Sequence, residues 1–185
     1  MIKIIIAGFG GQGVLSLGQF LAYSAMTAKK EVSWLPSYGP EMRGGTANCS
    51  VIISDSEIAA PVIAKPDLLV AMNKPSLIKF MDKVENNGVI LVNSSLIDIK
   101  VERTDIKVYY IPANELAINC AAICDTSHSA ALKAVNIIML GVINKVFNIL
   151  PHDKIYEGMK YGFSKKPQLI DPNIKMYHFG YDYIK

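Results

Sequence analysis

The chain has 185 residues, of which 51% are hydrophobic and 19% charged, with a formal net charge of +3. That length carries a single domain with its own core, and the apolar content excludes a disordered chain. The weak charge, spread over single lysines and the short pairs Lys29-Lys30 and Lys165-Lys166, excludes a nucleic-acid-binding stripe.

The N-terminus enters a strand with no basic leader ahead of it. No apolar run approaches the roughly 18–20 residues that cross a bilayer. A soluble cytoplasmic protein with no membrane contact is expected, and the apolar excess suggests that partner chains cover some of its surface. The three cysteines, Cys49, Cys120 and Cys124, are an odd number without framework spacing, which suits a reducing compartment. Cys120 and Cys124 share a helical face but lack a second pair of ligands, so burial as small apolar residues is expected rather than a metal or iron–sulfur site.

Residues 2–7 form a β-branched run, the first strand. Residues 12–30 follow as a helix with Val14, Leu17, Leu21 and Ala25 at helical spacing and Gly18 and Ala22 permitting close packing on a sheet. A short strand is expected over 32–35, stopping at Pro36, then a loop over 37–45. Residues 46–55 read as a strand ending in the turn signal Asp55-Ser56, with 57–60 pairing back as a hairpin. Further on the pattern gives a strand at 67–72, a helix from Pro75 to about Glu85, a turn at Asn86-Asn87-Gly88, and strands at 89–93 and 108–111.

Pro112 opens a helix to about Cys124. Asp125, Thr126 and Ser127 offer caps for a long helix whose apolar face is Leu132, Val135, Met139, Val142, Ile143 and Val146. A helix over 152–161, ended by Gly162, and one more short helix in the aromatic tail complete the chain. Alternating strands and helices imply one three-layer, Rossmann-like α/β domain over residues 1–185, with a mostly parallel sheet and an added β-hairpin. Ligands of such sheets sit at the carboxyl ends of the strands.

The first strand empties into Gly8-Phe9-Gly10-Gly11-Gln12-Gly13. Glycines let a backbone approach a bulky anion, and the helix that follows aims free N–H groups and its dipole at the same place. The pattern satisfies a dinucleotide fingerprint, but the second strand ends Trp34-Leu35-Pro36-Ser37, without the acidic residue that would hold a ribose. A diphosphate or the phosphates of coenzyme A fit better than a nicotinamide cofactor. A second constellation, Pro36 to Cys49, holds Tyr38 and Glu41 in a Pro-x-x-Gly-Pro turn and sets Arg43 beside Gly44 and Gly45. Arg43 has a clear approach to a phosphate or carboxylate, or forms a surface ion pair with Glu41.

GFGGQG followed by PSYGPEMRGGTANCSVIIS resembles the gamma subunit of the 2-oxoacid:ferredoxin oxidoreductases, and its second motif is most similar to the 2-oxoglutarate branch. The segment from Asn136 to Gly141 extends the resemblance over most of the chain. It implies membership of a complex that converts a 2-oxo acid to an acyl-coenzyme A and sends electrons to ferredoxin. Thiamine diphosphate, magnesium and iron–sulfur clusters would be carried by the alpha, beta and delta subunits. It further implies that the gamma chain, inactive alone, helps bind coenzyme A, and that the isolated chain can pair with itself.

By position, Gly8, Gly10, Gly11, Gln12 and Gly13 would cradle the phosphates. Glu41, Met42 and Arg43, with Gly44 and Gly45, would lie at the ligand or the subunit interface. Asn136, on the flank of an apolar helix face, is either bonded within the protein or in contact with ligand. His128 reads as a cap or a buried residue, and His152 and His178 as structural. The rival readings are a free-standing NAD(P)-dependent dehydrogenase and a non-enzymatic nucleotide-binding scaffold.

Overall fold

The computed structural model describes residues 1–39, 45–124 and 126–185. The strands are β1 (Ile2–Phe9), β2 (Glu31–Tyr38), β3 (Thr46–Ser54), β4 (Leu68–Ala71), β5 (Val89–Asn93) and β6 (Lys107–Ile111), in a six-stranded sheet of order 2-3-1-4-5-6. Strand β3 runs antiparallel to both neighbours, with Phe9 opposite Thr46 and Tyr38 opposite Ala47. Strands β1, β4, β5 and β6 are mutually parallel.

The central strands are buried on both faces, as their unbroken apolar runs require. Ile4 and Ile6 of β1 join Leu17 and Leu21 of helix α1 (Val14–Thr27) in the larger core. Ile5 and Ala7 point the other way, onto Leu77 and Phe80 of helix α2 (Lys74–Phe80). Each such fully buried aliphatic side chain contributes about 1.5–3 kcal/mol.

The larger core is roofed by α3 (Ala113–Cys120), α4 (His128–Leu132), α5 (Val135–Phe147), α6 (His152–Gly162) and α7 (Ile170–Tyr183). Helix α5 is buried on all sides from Val135 to Asn144 because α7 lies against it. The two come into backbone contact at glycines: a Cβ on Gly141 would strike the Tyr177 carbonyl, and one on Gly180 the Ile138 carbonyl.

The structure departs from the sequence reading in four places. The hairpin is made by β2 and β3, and residues 57–60 form no strand. Strand β2 runs on through Pro36 to Tyr38, because an edge strand tolerates a residue with no N–H to donate. The long helix expected after Ser127 is two. Ser127 accepts from Ala130 N to cap α4, and tight i→i−3 bonds at Lys133 and Ala134 close that helix before α5 begins, leaving Leu132 exposed. The tail helix is not short but spans 14 residues, and its aromatic side chains meet α5 and α6.

Candidate functional site

The glycine turn leaves β1 at the carboxyl end of the sheet, where ligands of parallel sheets collect. Gly11 and Gly13 take positive φ, 97° and 70°, a region side chains avoid. Gly8 is buried, and a Cβ there would press on Gln12, Val14 and Met72 at 2.6–2.9 Å. Gln12 ties the turn together. Its Oε1 accepts from Phe9 N at 2.7 Å and from Asn73 Nδ2 at 3.3 Å, and its Nε2 donates to Met72 O at 3.0 Å. Asn73 in turn accepts from Ser76 N, capping α2. One side chain thus spans the ends of β1 and β4, the point at which the chain's crossovers change direction.

Asn136 is buried and donates to Gly13 O at 3.3 Å, and a Cβ on Gly13 would meet its side-chain amide at 2.7 Å. Both amides singled out in the sequence therefore bond to the protein around the turn. The exposed surface of the turn is backbone: Gly10 and Gly11 are exposed, and around Gly11 there is no atom within 4 Å of a Cβ position.

The second loop meets the first. Gly10 N donates to Gly45 O at 3.0 Å, and Gly39 N to Thr46 O at 2.8 Å. Between the two lies an open cleft of about 370 Å³ lined by the glycine turn, the first turn of α1, Tyr38 and residues 45–47. Helix α1 starts at Gly13 with no side-chain cap. Its first N–H groups are therefore left to an outside acceptor, and the positive end of its dipole faces the same space. The cleft's lining side chains are uncharged among the described residues.

Glu41, Met42, Arg43 and Gly44 lie outside the described residues. Ser16, third in α1, and Thr46, first in β3, line the cleft and were not singled out in the sequence. Their signal was available: a hydroxyl three residues past the last glycine of such a turn stands on the helix's open end.

The remaining candidates lie elsewhere. His128 is exposed at the start of α4, neither capping nor buried. His152 Nδ1 meets the Tyr177 hydroxyl at 2.8 Å, and His178 Nε2 meets the Tyr156 hydroxyl, fastening α6 to α7. Tyr177 also accepts from Asn144 Nδ2 at 2.8 Å, and burial pushes its phenol well above the ordinary range. All three cysteines are buried free thiols. Cys120 and Cys124 bring their sulfurs to 2.7 Å, and Cys49 packs beneath α1 against Val14 O. Among the described residues no group of three or more His, Cys, Asp or Glu is placed to hold a metal ion, and no helix is long and apolar enough to cross a membrane.

Residues 3–183 match the pyruvate ferredoxin/flavodoxin oxidoreductase family. The chain is 37% identical over its whole length to ketoisovalerate oxidoreductase subunit VorA of Methanothermobacter thermautotrophicus, of which it spans 36%. It is 32% identical to 2-oxoglutarate synthase subunit KorC of Methanocaldococcus jannaschii, over 99% of this chain and 94% of that one.

Two solved structures share the fold. The gamma subunit of a keto/oxoacid ferredoxin oxidoreductase from Geobacter sulfurreducens superposes with a TM-score of 0.78 at 24% identity, over 98% of this chain and 97% of that one. The 2-oxoglutarate:ferredoxin oxidoreductase from Magnetococcus marinus, solved with 2-oxoglutarate, coenzyme A and succinyl-CoA, gives 0.83 at 22% identity, over all of this chain and 31% of that one. The chain belongs to the pyruvate ferredoxin/flavodoxin oxidoreductase family, as its two glycine motifs indicated.

Proposed function

We propose that the chain is the gamma subunit of a cytoplasmic, thiamine-diphosphate-dependent 2-oxoacid:ferredoxin oxidoreductase, and that its own task is to hold the phosphates of coenzyme A. The observation that carries the second half is the Gly10–Gly45 hydrogen bond, which joins the two glycine loops around an open cleft at the uncapped start of α1. A diphosphate fits this place. The exposed backbone of Gly10 and Gly11 leaves room for its bulk, the N–H groups of the first turn of α1 can donate to its oxygens, and the hydroxyls of Ser16 and Thr46 are within the same cleft. In sequence Glu41, Met42, Arg43 and Gly44 lie between Tyr38 and Gly45, both of which line the cleft, and an arginine is a residue type suited to bidentate pairing with a phosphate.

Bound coenzyme A supplies the thiol that accepts the acyl group. Thiamine diphosphate, magnesium and the iron–sulfur clusters belong to the alpha, beta and delta subunits, and ferredoxin meets the complex through them. In this reading none of the described residues of the chain moves a proton or holds a reacting atom. It positions the carrier and helps assemble the complex.

The rival dehydrogenase reading fits the geometry less well. Strand β3 separates β1 from β2, Gln12 spans the ends of β1 and β4, and Glu31 pairs with Ser54 at the opposite end of the sheet from the turn. The substrate is 2-oxoglutarate on the strength of the second motif. A branched-chain 2-oxo acid is the second reading, favoured by the higher identity to the VorA subunit.

The test is to purify the tagged chain from its native cell and assay whatever accompanies it for ferredoxin reduction driven by 2-oxoglutarate and by ketoisovalerate. Activity that needs coenzyme A is expected. In the same complex Gly10→Asp places a negative charge against the phosphates and should raise KM for coenzyme A about tenfold, with KM for the 2-oxo acid unchanged. Recovery of the chain alone, binding NAD, overturns the assignment, and an unchanged KM in an intact complex overturns the role of the turn.

A further inference from the structure

A second, larger hollow of about 600 Å³ opens beside the first, and the two share Ser16. It follows one face of α1, through Gln19, Phe20 and Tyr23, and is closed on the far side by the last two residues of α6 and the turn after it, from Tyr161 to Lys166. At 1.5 Å per residue the stretch from Ser16 to Tyr23 covers about 10 Å. The floor is aromatic. Phe20 and Phe163 pack with ring centroids 4.9 Å apart, and a side chain on Gly162 would meet Phe20 at 2.6 Å. Tyr161 stands edge-on to Tyr23 at 4.5 Å and remains 63% exposed. Lys165 and Lys166 are both exposed at the rim and form no ion pair among the described residues.

An exposed tyrosine ring over an aromatic floor, beside two lysines unpaired among the described residues and in a hollow that shares Ser16 with the anion cradle, matches the nucleotide end of a long phosphorylated carrier. Resting on the assignment of the glycine turn to coenzyme A, we infer that this groove seats the adenine and the 3′-phosphate of the same molecule. Tyr161 supplies a stacking face, and Lys165 with Lys166 meets the phosphate on the ribose. The pantetheine arm then leaves the glycine turn in the other direction. A bare diphosphate would use the first cleft alone, and the groove gives the chain a means of telling coenzyme A from carriers that lack the additional phosphate.

The test is equilibrium binding of coenzyme A and of 3′-dephospho-coenzyme A to the complex purified from its native cell. Wild type should prefer coenzyme A. Lys165→Ala combined with Lys166→Ala should weaken coenzyme A about tenfold and leave 3′-dephospho-coenzyme A unchanged, abolishing the preference. Tyr161→Ala should weaken both about tenfold, since stacking ignores the 3′-phosphate. All three residues are exposed, so the variants keep the fold, and gel filtration reports whether the complex stays assembled. A double variant that retains the preference overturns the groove while leaving the glycine-turn assignment standing. Wild-type protein that binds neither compound overturns both. Loss of the partner subunits from the double variant shows the groove to be a subunit contact and overturns the inference.

Discussion

At the scale of single residues, the site is shaped by groups that act on the backbone rather than on the ligand. Asn136 was legible as an amide needing partners and Gln12 read as part of a phosphate cradle, but the protein groups that each bonds were not legible. The direction of Gln12 depends on Met72 and Asn73, some sixty positions on, and Asn136 meets Gly13 only because α5 packs under α1. Gly11 and Gly13 were legible because a positive φ leaves a compositional mark that long-range contacts do not. Cys49 is a residue of the same kind, invisible as to role until its surroundings are known. Its sulfur lies beneath α1 beside Gly18 and Trp34, and burial pushes the thiol from an ordinary 9.0 up to about 12. Above pH 9 the unfolded chain gives up that proton and the folded chain keeps it. The stability that comes from burying a neutral thiol is therefore whole below pH 9 and is lost as pH rises toward 12, at about 1.4 kcal/mol per pH unit for this residue. Urea midpoints taken at pH 8, 9 and 10 should fall in wild type and fall less steeply in Cys49→Ala. Equal slopes in the two proteins would show that Cys49 titrates alike folded and unfolded.

At the scale of elements, the local signals placed most strands and helices, and they failed where tertiary contact overrides them. Pro36 read as a strand end because proline lacks a donor. The edge position of β2 removes that need, so the hairpin partner of β3 lies before it rather than after. The tail, expected to hold only a short helix, carries Pro172 and Gly180, which weaken a helical pattern, yet both sit inside α7. Pro172 falls in the first turn, where no intrahelical donor is lost. Gly180 lets α7 touch α5 along the backbone, and the side-chain network of Tyr177, Asn144 and His152 closes around that contact. Gly180→Ala should therefore cost about 1–3 kcal/mol by forcing the two helices apart, more than the small gain in helix propensity returns. A urea melt of the variant is the check. Unchanged or raised stability would mean that α5 and α7 do not lie in contact.

At the scale of the whole molecule, the proposed ligand cleft sits between the buried centre of the sheet and its edge hairpin. Strands β1, β4 and β5 have sheet neighbours on both sides and apolar residues packed on both faces, so their amides open only when the domain unfolds. Strand β2 lies at the sheet edge with Leu35 and Tyr38 exposed, and Tyr38 and Gly45 line the cleft. Binding across the Gly10–Gly45 contact would tie the edge hairpin to the end of β1 without disturbing the sheet. Hydrogen exchange in the assembled complex can read this directly. Without ligand, β2 should exchange well before β1 and β4. With coenzyme A present, amides at 10–16 and 45–47 should slow by about tenfold or more, while those of β4 and β5 should not change. Slowing confined to the sheet, with the two turns unaffected, would place the carrier away from the uncapped start of α1 and leave that helix end open to water.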